Sequence, residues 1–233
     1  MKIAVIAAMN KELNQLLATL EKSEIVEIGP RIFYLTKYQK HDLILTVAGI
    51  GKVNASITTT LILNTFNPDL VINIGIAGGI EKSLKTLDIV IANKVSFHDI
   101  ESGFLNDALL PGQLQGEPKY YPCDTTILDY VKANKSLKIK CHKGLIITGD
   151  QFVTDRSYVE DMIEAKFKKD KVYACDMESA SIAQVCYQFK KPVIIIRSIS
   201  DIIGVDQEHE YPNFIQQAVD NATKLVMLVL NNY

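Results

Sequence analysis

Two carboxylates stand at the end of a predicted buried strand. The apolar run at 172–175 is typical of a strand, and Asp176 and Glu178 lie in the turn that leaves it. The residues at 179–189 then predict a helix that is poor in bulky side chains, so its backbone can pack closely. Carboxylates in such a turn can donate or accept protons and can stabilise positive charge.

A second predicted strand ends in a further group of polar residues. The continuous apolar run at 193–196 fits a strand that is covered on both faces, and Arg197, Ser200 and Asp201 follow it. Ligands of open α/β sheets bind beyond the carboxyl ends of the strands. We therefore expect these side chains to share one crevice with the two carboxylates above, and we expect the chemistry there.

Glu12 allows two interpretations. The apolar run at 2–7 predicts the first strand, and 11–20 has the period of an amphipathic helix, so Glu12 lies in the first turn of that helix. A carboxylate there is favoured by the helix dipole, which is the simpler explanation. The alternative is that Glu12, at the carboxyl end of a central strand, points into the crevice as a base.

Two segments rich in small residues follow predicted strands. The segment 49–52 (GIGK) leads into a helix, and such a turn brings backbone N–H groups close to an anion. It lacks both the P-loop spacing and the full dinucleotide fingerprint, so it is weak evidence for a nucleotide phosphate. The segment 75–79 includes Ala77 and Gly78, and it either lets a flat ligand lie against the backbone or forms a plain tight turn.

Predicted strands and helices alternate over nearly the whole chain. Further strands are predicted at 24–28, 32–38, 43–48, 70–74, 88–92, 94–98 and 144–148. Further helices are predicted at 53–64, 125–132 and 213–230, and one more runs from a cap at 155 or 157 to 165. Asp155 or Ser157 suits the cap of the helix that ends at 165, and Pro212 suits the first turn of the terminal helix. The alternation predicts a single α/β domain over 1–233, and the hairpin-like pairs predict a mixed central sheet flanked by helices.

Residues 99–124 do not fit this alternation. Prolines and glycines recur along the segment and forbid a long regular element. A loop of this length in a compact domain is usually functional, as a lid or an interface. Its apolar residues, which include Phe104, Leu109 and Leu110, would be poorly placed in water. We therefore expect this loop to contact a second subunit.

The composition excludes several classes of partner. The 233 residues are 48% hydrophobic and 22% charged, and the formal net charge is −2. No basic field for nucleic acid or an anionic membrane surface is present. No apolar run approaches the roughly 20 residues that a membrane-spanning helix needs. We therefore expect neither a nucleic-acid nor a membrane partner.

The cysteines and histidines point to a cytoplasmic protein without a metal site. The four cysteines show no paired spacing and resemble reduced packing residues. The apolar stretch near the N-terminus runs directly into charged residues and is too short for a signal peptide. The four histidines are scattered without ligand spacing, so we expect no metal.

Six motifs together resemble one family. They are AMNKE at 8–12, AGIGKVNA at 48–55, NIGIAGG at 73–79, GDQF at 149–152, MESA at 177–180 and RSISD at 197–201. In this order they resemble the bacterial 5′-methylthioadenosine/S-adenosylhomocysteine nucleosidases over the whole chain. The resemblance implies the nucleoside phosphorylase fold, hydrolysis of the bond between adenine and a 5′-substituted ribose, a homodimer and no cofactor.

The resemblance also implies three catalytic roles. Asp201 matches the general acid that delivers a proton towards N7 of adenine, and Glu12 matches the residue that orients the attacking water. Glu178 matches the carboxylate that holds the ribose 2′ and 3′ hydroxyls. Neutral adenine is a poor leaving group and the sugar becomes cation-like as the bond stretches. One site therefore needs an acid beside the base and carboxylates beside the sugar.

Other matching positions imply binding and support. Phe152 matches the residue that stacks on adenine, Val153 would supply backbone contacts to it, and Met177 would lie under the ribose. Arg197 and Ser200 match neighbours that support the general acid and the glutamates. We expect Arg197 to engage groups other than the general acid, since a direct pair would oppose protonation of that carboxyl.

The 5′ end of the nucleoside is expected to meet an apolar pocket. We predict that Met9, Ile50, Tyr211 and Phe104 of the partner subunit form it, with the partner's 100–110 loop completing the site. No basic cluster is available there for a 5′-phosphate. Two departures from the family concern the site, the first at a polar contact near the water or the ribose and the second in the interface loop. Ile76 stands where many relatives carry a small hydroxyl residue, and 100–110 does not match the usual interface loop closely.

The sequence leaves three alternatives to this nucleosidase activity. A purine or uridine nucleoside phosphorylase would share the fold, but Glu12 would repel its phosphate. A nucleosidase acting on a futalosine-type substrate is also compatible with the sequence. A non-catalytic nucleoside-binding protein is disfavoured because Glu12, Glu178 and Asp201 are present together.

Overall fold

The computed structural model describes residues 1–20, 23–101, 109–134, 136–205 and 207–233, except for the side chains of 207–210. Its strands are β1 (Lys2–Ala7), β2 (Glu24–Ile28), β3 (Arg31–Tyr38), β4 (His41–Val47), β5 (Leu70–Gly79), β6 (Ile89–Phe97), β7 (Tyr121–Pro122), β8 (Cys141–Thr148), β9 (Val172–Asp176) and β10 (Val193–Ile202). Its helices are α1 (Asn10–Thr19), α2 (Lys52–Phe66), α3 (Ile127–Ala133), α4 (Arg156–Phe167), α5 (Ser179–Gln188) and α6 (Gln207–Asn232).

One mixed sheet organises these elements. Its strand order is β10-β6-β8-β9-β5-β1-β4-β3-β2, and β7 pairs with β6. Because β5 also pairs in parallel with β10, the strands β10, β6, β8, β9 and β5 close into a ring. The hairpin β2–β3 is antiparallel, whereas β1 runs parallel to both β4 and β5. This arrangement confirms the predicted α/β class with a mixed central sheet.

Side chains that alternate along β1 are covered on both faces of the sheet. Val5 packs in a cluster with Leu16 of α1 and Leu225 of α6. Ile6 packs on the opposite face in a cluster with Ile62 of α2 and with residues of α5. Burial on both faces explains why the central strands are continuous apolar runs. In the described part of the chain, no helix is long and apolar enough to cross a membrane.

The two strands that carry most site residues are longer than predicted. β5 was expected at 70–74 but continues to Gly79, and β10 was expected at 193–196 but continues to Ile202. The two strands pair with each other over this whole extension, and β9 pairs with the end of β5. The neighbouring strands thus satisfy the backbone groups of the glycines. The prediction that 75–79 forms a loop or tight turn was therefore wrong.

Smaller differences concern strand and helix ends. β6 is one strand with a register shift beside Asn93, where two strands were predicted. The short β7 lies within the segment that was predicted to be irregular. Helix α6 begins at Gln207, so Pro212 lies inside the helix rather than in its first turn. Asp155 caps α4 as predicted, since its side chain accepts from the backbone N–H of Ser157 and Tyr158.

Candidate active site

A cavity opens where β1, β5, β9 and β10 end, and the empty space in it and in its open mouth together is about 650 Å³. Glu12, Glu178 and Asp201, the three carboxylates predicted as catalytic, all line it. Of the predicted binding residues, the lining includes Met9, Ile50, Ala77, Gly78, Phe152, Val153, Met177, Ser200 and Tyr211. The topology thus brings together residues from both ends of the sequence.

Some predicted residues lie elsewhere, and some lining residues were missed. Arg197 does not line the cavity and is buried behind its wall, with 1% of its surface exposed. Phe104 lies outside the described residues, so its placement at the 5′ pocket stays a prediction. The cavity is also lined by residues not predicted as binding residues: Ala8, Ile76, Gln151, Cys175, Asp176 and Ile203. The extension of β5 and β10 explains Ile76 and Ile203.

Glu12 is fixed by backbone groups from two strand ends. Its Oε2 accepts the N–H groups of Ala8 at 2.9 Å and Met9 at 2.8 Å, and its Oε1 accepts the N–H of Ile76 at 3.2 Å. The side chain therefore caps its own helix and also lines the cavity. Burial raises the pKa of Glu12, although the charge of Arg197 and these N–H groups oppose the rise. A carboxylate with a raised pKa is suited to accept a proton near neutral pH.

Glu178 leaves β9 as the residue that precedes α5. Its Oε1 accepts the backbone N–H of Gly51 at 2.9 Å. Gly51 has a φ of 94°, a conformation that favours glycine, and it is the residue that precedes α2. Burial and the nearby charge of Asp176 raise the pKa of Glu178 to about 7, against the opposing effects of Arg197 and the Gly51 N–H. The ionisation of Glu178 is therefore sensitive to pH in the neutral range.

Arg197 and Asp176 form a buried pair behind the glutamates. Nε of Arg197 donates to Oδ2 of Asp176 at 2.7 Å, and Nη2 donates to Oδ1 of Asn73 at 2.5 Å. Arg197 therefore engages other groups, as expected. Gly75 leaves room for this pair, because a Cβ there would lie 3.0 Å from Glu12 Oε1 and 3.2 Å from Arg197 Nη1.

Asp201 lies on β10, opposite the small residues of β5. Its Oδ1 accepts the hydroxyl of Ser200 at 2.6 Å, and the side chain is almost completely buried. A Cβ at Gly78 would lie 3.5 Å from Asp201 Oδ2, so this oxygen lies beside the glycine-rich wall. The tighter limit at Gly78 comes from Ile203, whose Cγ1 would lie 2.9 Å from such a Cβ.

Two aromatic rings stand together at the rim. The ring centroids of Phe152 and Tyr211 are 5.5 Å apart in an edge-to-face arrangement. Phe152 is 61% exposed, which is unusual for a large apolar side chain that lines a cavity. Burial raises the pKa of Tyr211, and the charges of Glu12, Asp201 and Glu178 add to the effect. An exposed ring at the mouth of a cavity provides a flat apolar surface for a ligand.

Comparison with known proteins identifies the family. The family model of the phosphorylase superfamily matches residues 2–231. A 5′-methylthioadenosine/S-adenosylhomocysteine nucleosidase of Psychromonas ingrahamii is 40% identical over 234 residues, which cover 100% of this chain and 99% of the relative. The corresponding protein of Bacillus velezensis is 39% identical, over 99% of this chain and 98% of the relative. The chain belongs to this nucleosidase family.

Solved structures of the nucleosidase family agree with this conclusion. The Neisseria meningitidis enzyme in complex with methylthio-immucillin-A has a TM-score of 0.92 and is 32% identical, over 100% of this chain and 99% of that chain. The S-adenosylhomocysteine nucleosidase of Streptococcus pyogenes in complex with 5-methylthiotubericidin has a TM-score of 0.91 and is 33% identical, over 100% and 97%. The resemblance predicted from the six motifs is therefore confirmed.

Proposed function

We propose that this protein hydrolyses the N-glycosidic bond of 5′-methylthioadenosine and S-adenosylhomocysteine, and of 5′-deoxyadenosine. The products are adenine and the 5-substituted ribose. The observation that carries the proposal is that Glu12, Glu178 and Asp201 line one cavity. Two relatives that align with nearly the whole chain, both named 5′-methylthioadenosine/S-adenosylhomocysteine nucleosidase, support it. The activity serves methionine salvage and removes by-products of S-adenosylmethionine.

The proposed mechanism divides the proton transfers between the carboxyl groups. Asp201 donates a proton to N7, the bond between N9 and C1′ breaks, and its electron pair moves to the neutral adenine. Water then attacks C1′, and Glu12 orients this water and takes its proton. The raised pKa of Glu12, caused by burial, suits it to this task.

Glu178 has an electrostatic role in this proposal. It holds the ribose hydroxyls, and its charge favours the cation-like sugar of the transition state. Its hydrogen bond from the Gly51 N–H fixes the carboxylate at the cavity wall. Phe152 stacks on adenine, Val153 contacts it through its backbone, and Met177 lies under the ribose. All three line the cavity.

Two observations favour hydrolysis over phosphorolysis. The N-terminus of a helix is a ready site for phosphate, but at α2 the protein's own carboxylates occupy it. The Gly51 N–H donates to Glu178, and the Lys52 N–H donates to Asp150 at 2.8 Å. Glu12 also places a carboxylate in the cavity, where it would repel a phosphate. A phosphorylase needs cationic and amide donors at that place.

A futalosine-type substrate is the second candidate. A futalosine hydrolase of Helicobacter pylori has a TM-score of 0.91 and is 26% identical, over 100% of this chain and 98% of that chain. The relatives named as 5′-methylthioadenosine/S-adenosylhomocysteine nucleosidases reach higher identity, 40% and 39%. For this reason we place the futalosine activity second.

We also propose that the protein is a cytoplasmic homodimer. Ile50, just before α2, is 52% exposed, and Val53 and Ile57, in the first turns of α2, are 69% and 42% exposed. Val53 and Ile57 are four residues apart on the helix and therefore share a face. An apolar face beside the cavity mouth suits contact with a second copy, whose 100–110 loop, with Phe104 of the partner subunit, would complete the 5′ pocket.

One assay tests the proposed activity. Adenine release is measured for 5′-methylthioadenosine, S-adenosylhomocysteine, 5′-deoxyadenosine and futalosine, each with and without inorganic phosphate. We expect adenine from the first three in the absence of phosphate. A strict phosphate requirement with a sugar 1-phosphate product would contradict hydrolysis. Exclusive cleavage of futalosine would establish the second candidate instead.

A further inference from the structure

Three charged residues form a closed hydrogen-bonded ring beside the cavity. They are Lys52, the first residue of α2; Asp99, which follows β6; and Asp150, which follows β8. Nζ of Lys52 donates to Oδ2 of Asp99, and this oxygen also accepts the backbone N–H of Asp150 at 3.0 Å. Oδ1 of Asp150 accepts the backbone N–H of Lys52 at 2.8 Å. We call these residues the Lys52–Asp99–Asp150 ring; none of the three is among the residues that line the cavity.

The ring adjoins Gly51, which binds Glu178 of the cavity wall, and Phe152, which lines the cavity itself. Gly51, whose N–H binds the Glu178 carboxylate, is the residue before Lys52. A Cβ at Gly51 would lie 3.0 Å from Oδ1 of Asp150, so this carboxylate is packed against the glycine. Phe152 is two residues after Asp150 on the same connection. A displacement of the Lys52–Asp99–Asp150 ring would therefore move both the Gly51 N–H that binds Glu178 and the aromatic side chain of Phe152.

The ring is partly buried and charged. The side chains of Lys52 and Asp99 are 26% and 16% exposed. Burial acts to raise the pKa of Asp99, but the hydrogen bonds from Lys52 and from the Asp150 N–H, with the Lys52 charge, hold it below its usual value. Hydrogen bonds between charged partners are shorter and stronger than neutral ones. Asp99 thus stays ionised over the whole neutral range.

A second contact fixes the segment that carries Asp99. Nζ of Lys166, on α4, donates to the carbonyl oxygens of His98 at 2.7 Å and Ile100 at 3.1 Å. These carbonyls flank Asp99 on both sides. Lys166 therefore ties the backbone on both sides of Asp99 to α4. The Asp99 carboxylate is thus a fixed point that positions α2 and the 149–153 connection.

We propose that the Lys52–Asp99–Asp150 ring consists of positioning residues for the nucleosidase reaction. It holds the Gly51 N–H against Glu178 and holds Phe152 over the cavity. The inference rests on the proposed hydrolysis. A displacement of about 1 Å in a reacting geometry can reduce a rate by about 10²-fold. The contribution of the ring is thus to turnover, through the orientation of Glu178.

The first experiment compares Asp99→Asn with Asp170→Asn. Asp170 makes a similar ion pair outside the cavity, since it accepts from Lys94 Nζ at 2.6 Å and its side chain is also 16% exposed. We expect Asp99→Asn to lower kcat for 5′-methylthioadenosine by about 10-fold or more, with a smaller change in KM. Asp170→Asn should keep kcat while it lowers Tm by a similar amount. Equal kcat values in the two variants would overturn the proposal.

Lys52→Gln tests whether the ring acts as a unit. We expect it to lower kcat as Asp99→Asn does, and we expect the double variant to be no slower than either single variant, because residues in one network are not additive. Lys52→Arg keeps the charge and should restore most of the rate. Multiplicative losses in the double variant, or no rescue by Lys52→Arg, would contradict a shared positioning role.

Amide hydrogen exchange gives a readout that does not depend on activity. We expect exchange in the peptides that contain 50–53 and 149–153 to become faster in Asp99→Asn and to stay unchanged in Asp170→Asn. Unchanged exchange at both peptides in Asp99→Asn would contradict the positioning role of the Lys52–Asp99–Asp150 ring, whatever the activity of the variant. If the unmodified protein released no adenine from any nucleoside, the proposed function would fail. The exchange result would still show whether the Lys52–Asp99–Asp150 ring holds the segments 50–53 and 149–153 in place.

Discussion

The guanidinium of Arg197 and the carboxylate of Asp176 form an ion pair at 2.7 Å in which both side chains are 1% exposed. Thr148 Oγ1 and the backbone N–H of Ser179 also donate to this carboxylate, at 2.5 Å and 3.1 Å. Removal of water from two charges costs several kcal/mol, so such a pair persists only when its hydrogen bonds are satisfied. These donors satisfy the buried carboxylate, and the Arg197 charge opposes the rise that burial causes in the pKa of Glu12 and of Glu178.

We predict that Asp176→Ala destabilises the fold by about 3–5 kcal/mol, because it leaves the Arg197 charge buried without its partner. Urea unfolding measures the change. Asp42→Ala is the control, since Asp42 pairs with Lys37 at the surface, where side chains are 62% and 82% exposed. The control should change stability by less than about 1 kcal/mol. Similar losses in both variants would show that burial of the pair is energetically irrelevant.

Glu178→Gln should lower turnover more than binding. The amide oxygen can still accept the Gly51 N–H, and the side chain can still bind a ribose hydroxyl. It loses the negative charge that favours the cation-like sugar in the transition state. Steady-state kinetics with 5′-methylthioadenosine should show a large fall in kcat and a small change in KM. A rise in KM alone, with normal kcat, would reduce Glu178 to a binding residue.

The same Glu178→Gln variant should be more stable than the unmodified protein at alkaline pH. Burial and Asp176 raise the pKa of Glu178 to about 7 from its usual value of 4.5. The folded protein therefore binds this proton more tightly than the unfolded chain, and stability falls as pH rises from about 4.5 through 7. Gln does not titrate, so the difference in Tm should grow between pH 5 and pH 7.5 and then stay constant. A constant difference over the whole range would contradict the raised pKa.

The sequence was sufficient for the fold class, which depends on local apolar patterns. The local pattern also placed Glu178 and Asp201 at one crevice, but it left Glu12 open between a helix-end residue and a base, and only the family resemblance assigned its catalytic role. The apolar runs identified the central strands, and the polar residues that follow them identified the cavity. The prediction failed where a tertiary partner decides the backbone. Gly78 and Gly79 form strand because β10 and β9 pair with them, and no local pattern reports those partners.

The sequence also did not predict the contacts that support the site residues from outside the cavity. Asp99 is 47 residues from Lys52 and 51 residues from Asp150. Lys52 begins α2, whereas Asp99 and Asp150 stand on the connections that follow β6 and β8. Charged residues so far apart in the sequence give no local signal that they form one network. The parallel pairing of β8 with β6 brings Asp99 and Asp150 to the same end of the sheet. Arg197 was correctly expected to engage other groups, but its position behind the cavity wall required the structure.

AMP should be a poor substrate. The cavity residues proposed for the 5′ end, Met9, Ile50 and Tyr211, provide no positive charge, and a 5′-phosphate would lose its hydration without a partner there. Nζ of Lys11 lies 5.5 Å from the Tyr211 ring centroid, and Lys11 is not among the residues that line the cavity. Adenine release from AMP and from 5′-methylthioadenosine at equal concentration measures the difference. Efficient cleavage of AMP would overturn this assignment of the 5′ pocket.

Asp201→Asn should fold normally and should still bind a non-cleavable substrate analogue, because an amide oxygen can accept the Ser200 hydroxyl as the carboxylate does now. It cannot deliver a proton to N7, and loss of a general acid typically costs about 10² to 10⁴ in rate. We expect kcat for 5′-methylthioadenosine to fall by at least that range, while Tm and analogue binding stay close to those of the unmodified protein. Asp170→Asn, the same substitution outside the cavity, is the control and should keep its activity. If folded Asp201→Asn kept a near-normal kcat from pH 6 to pH 8, the proton would have to come from another group.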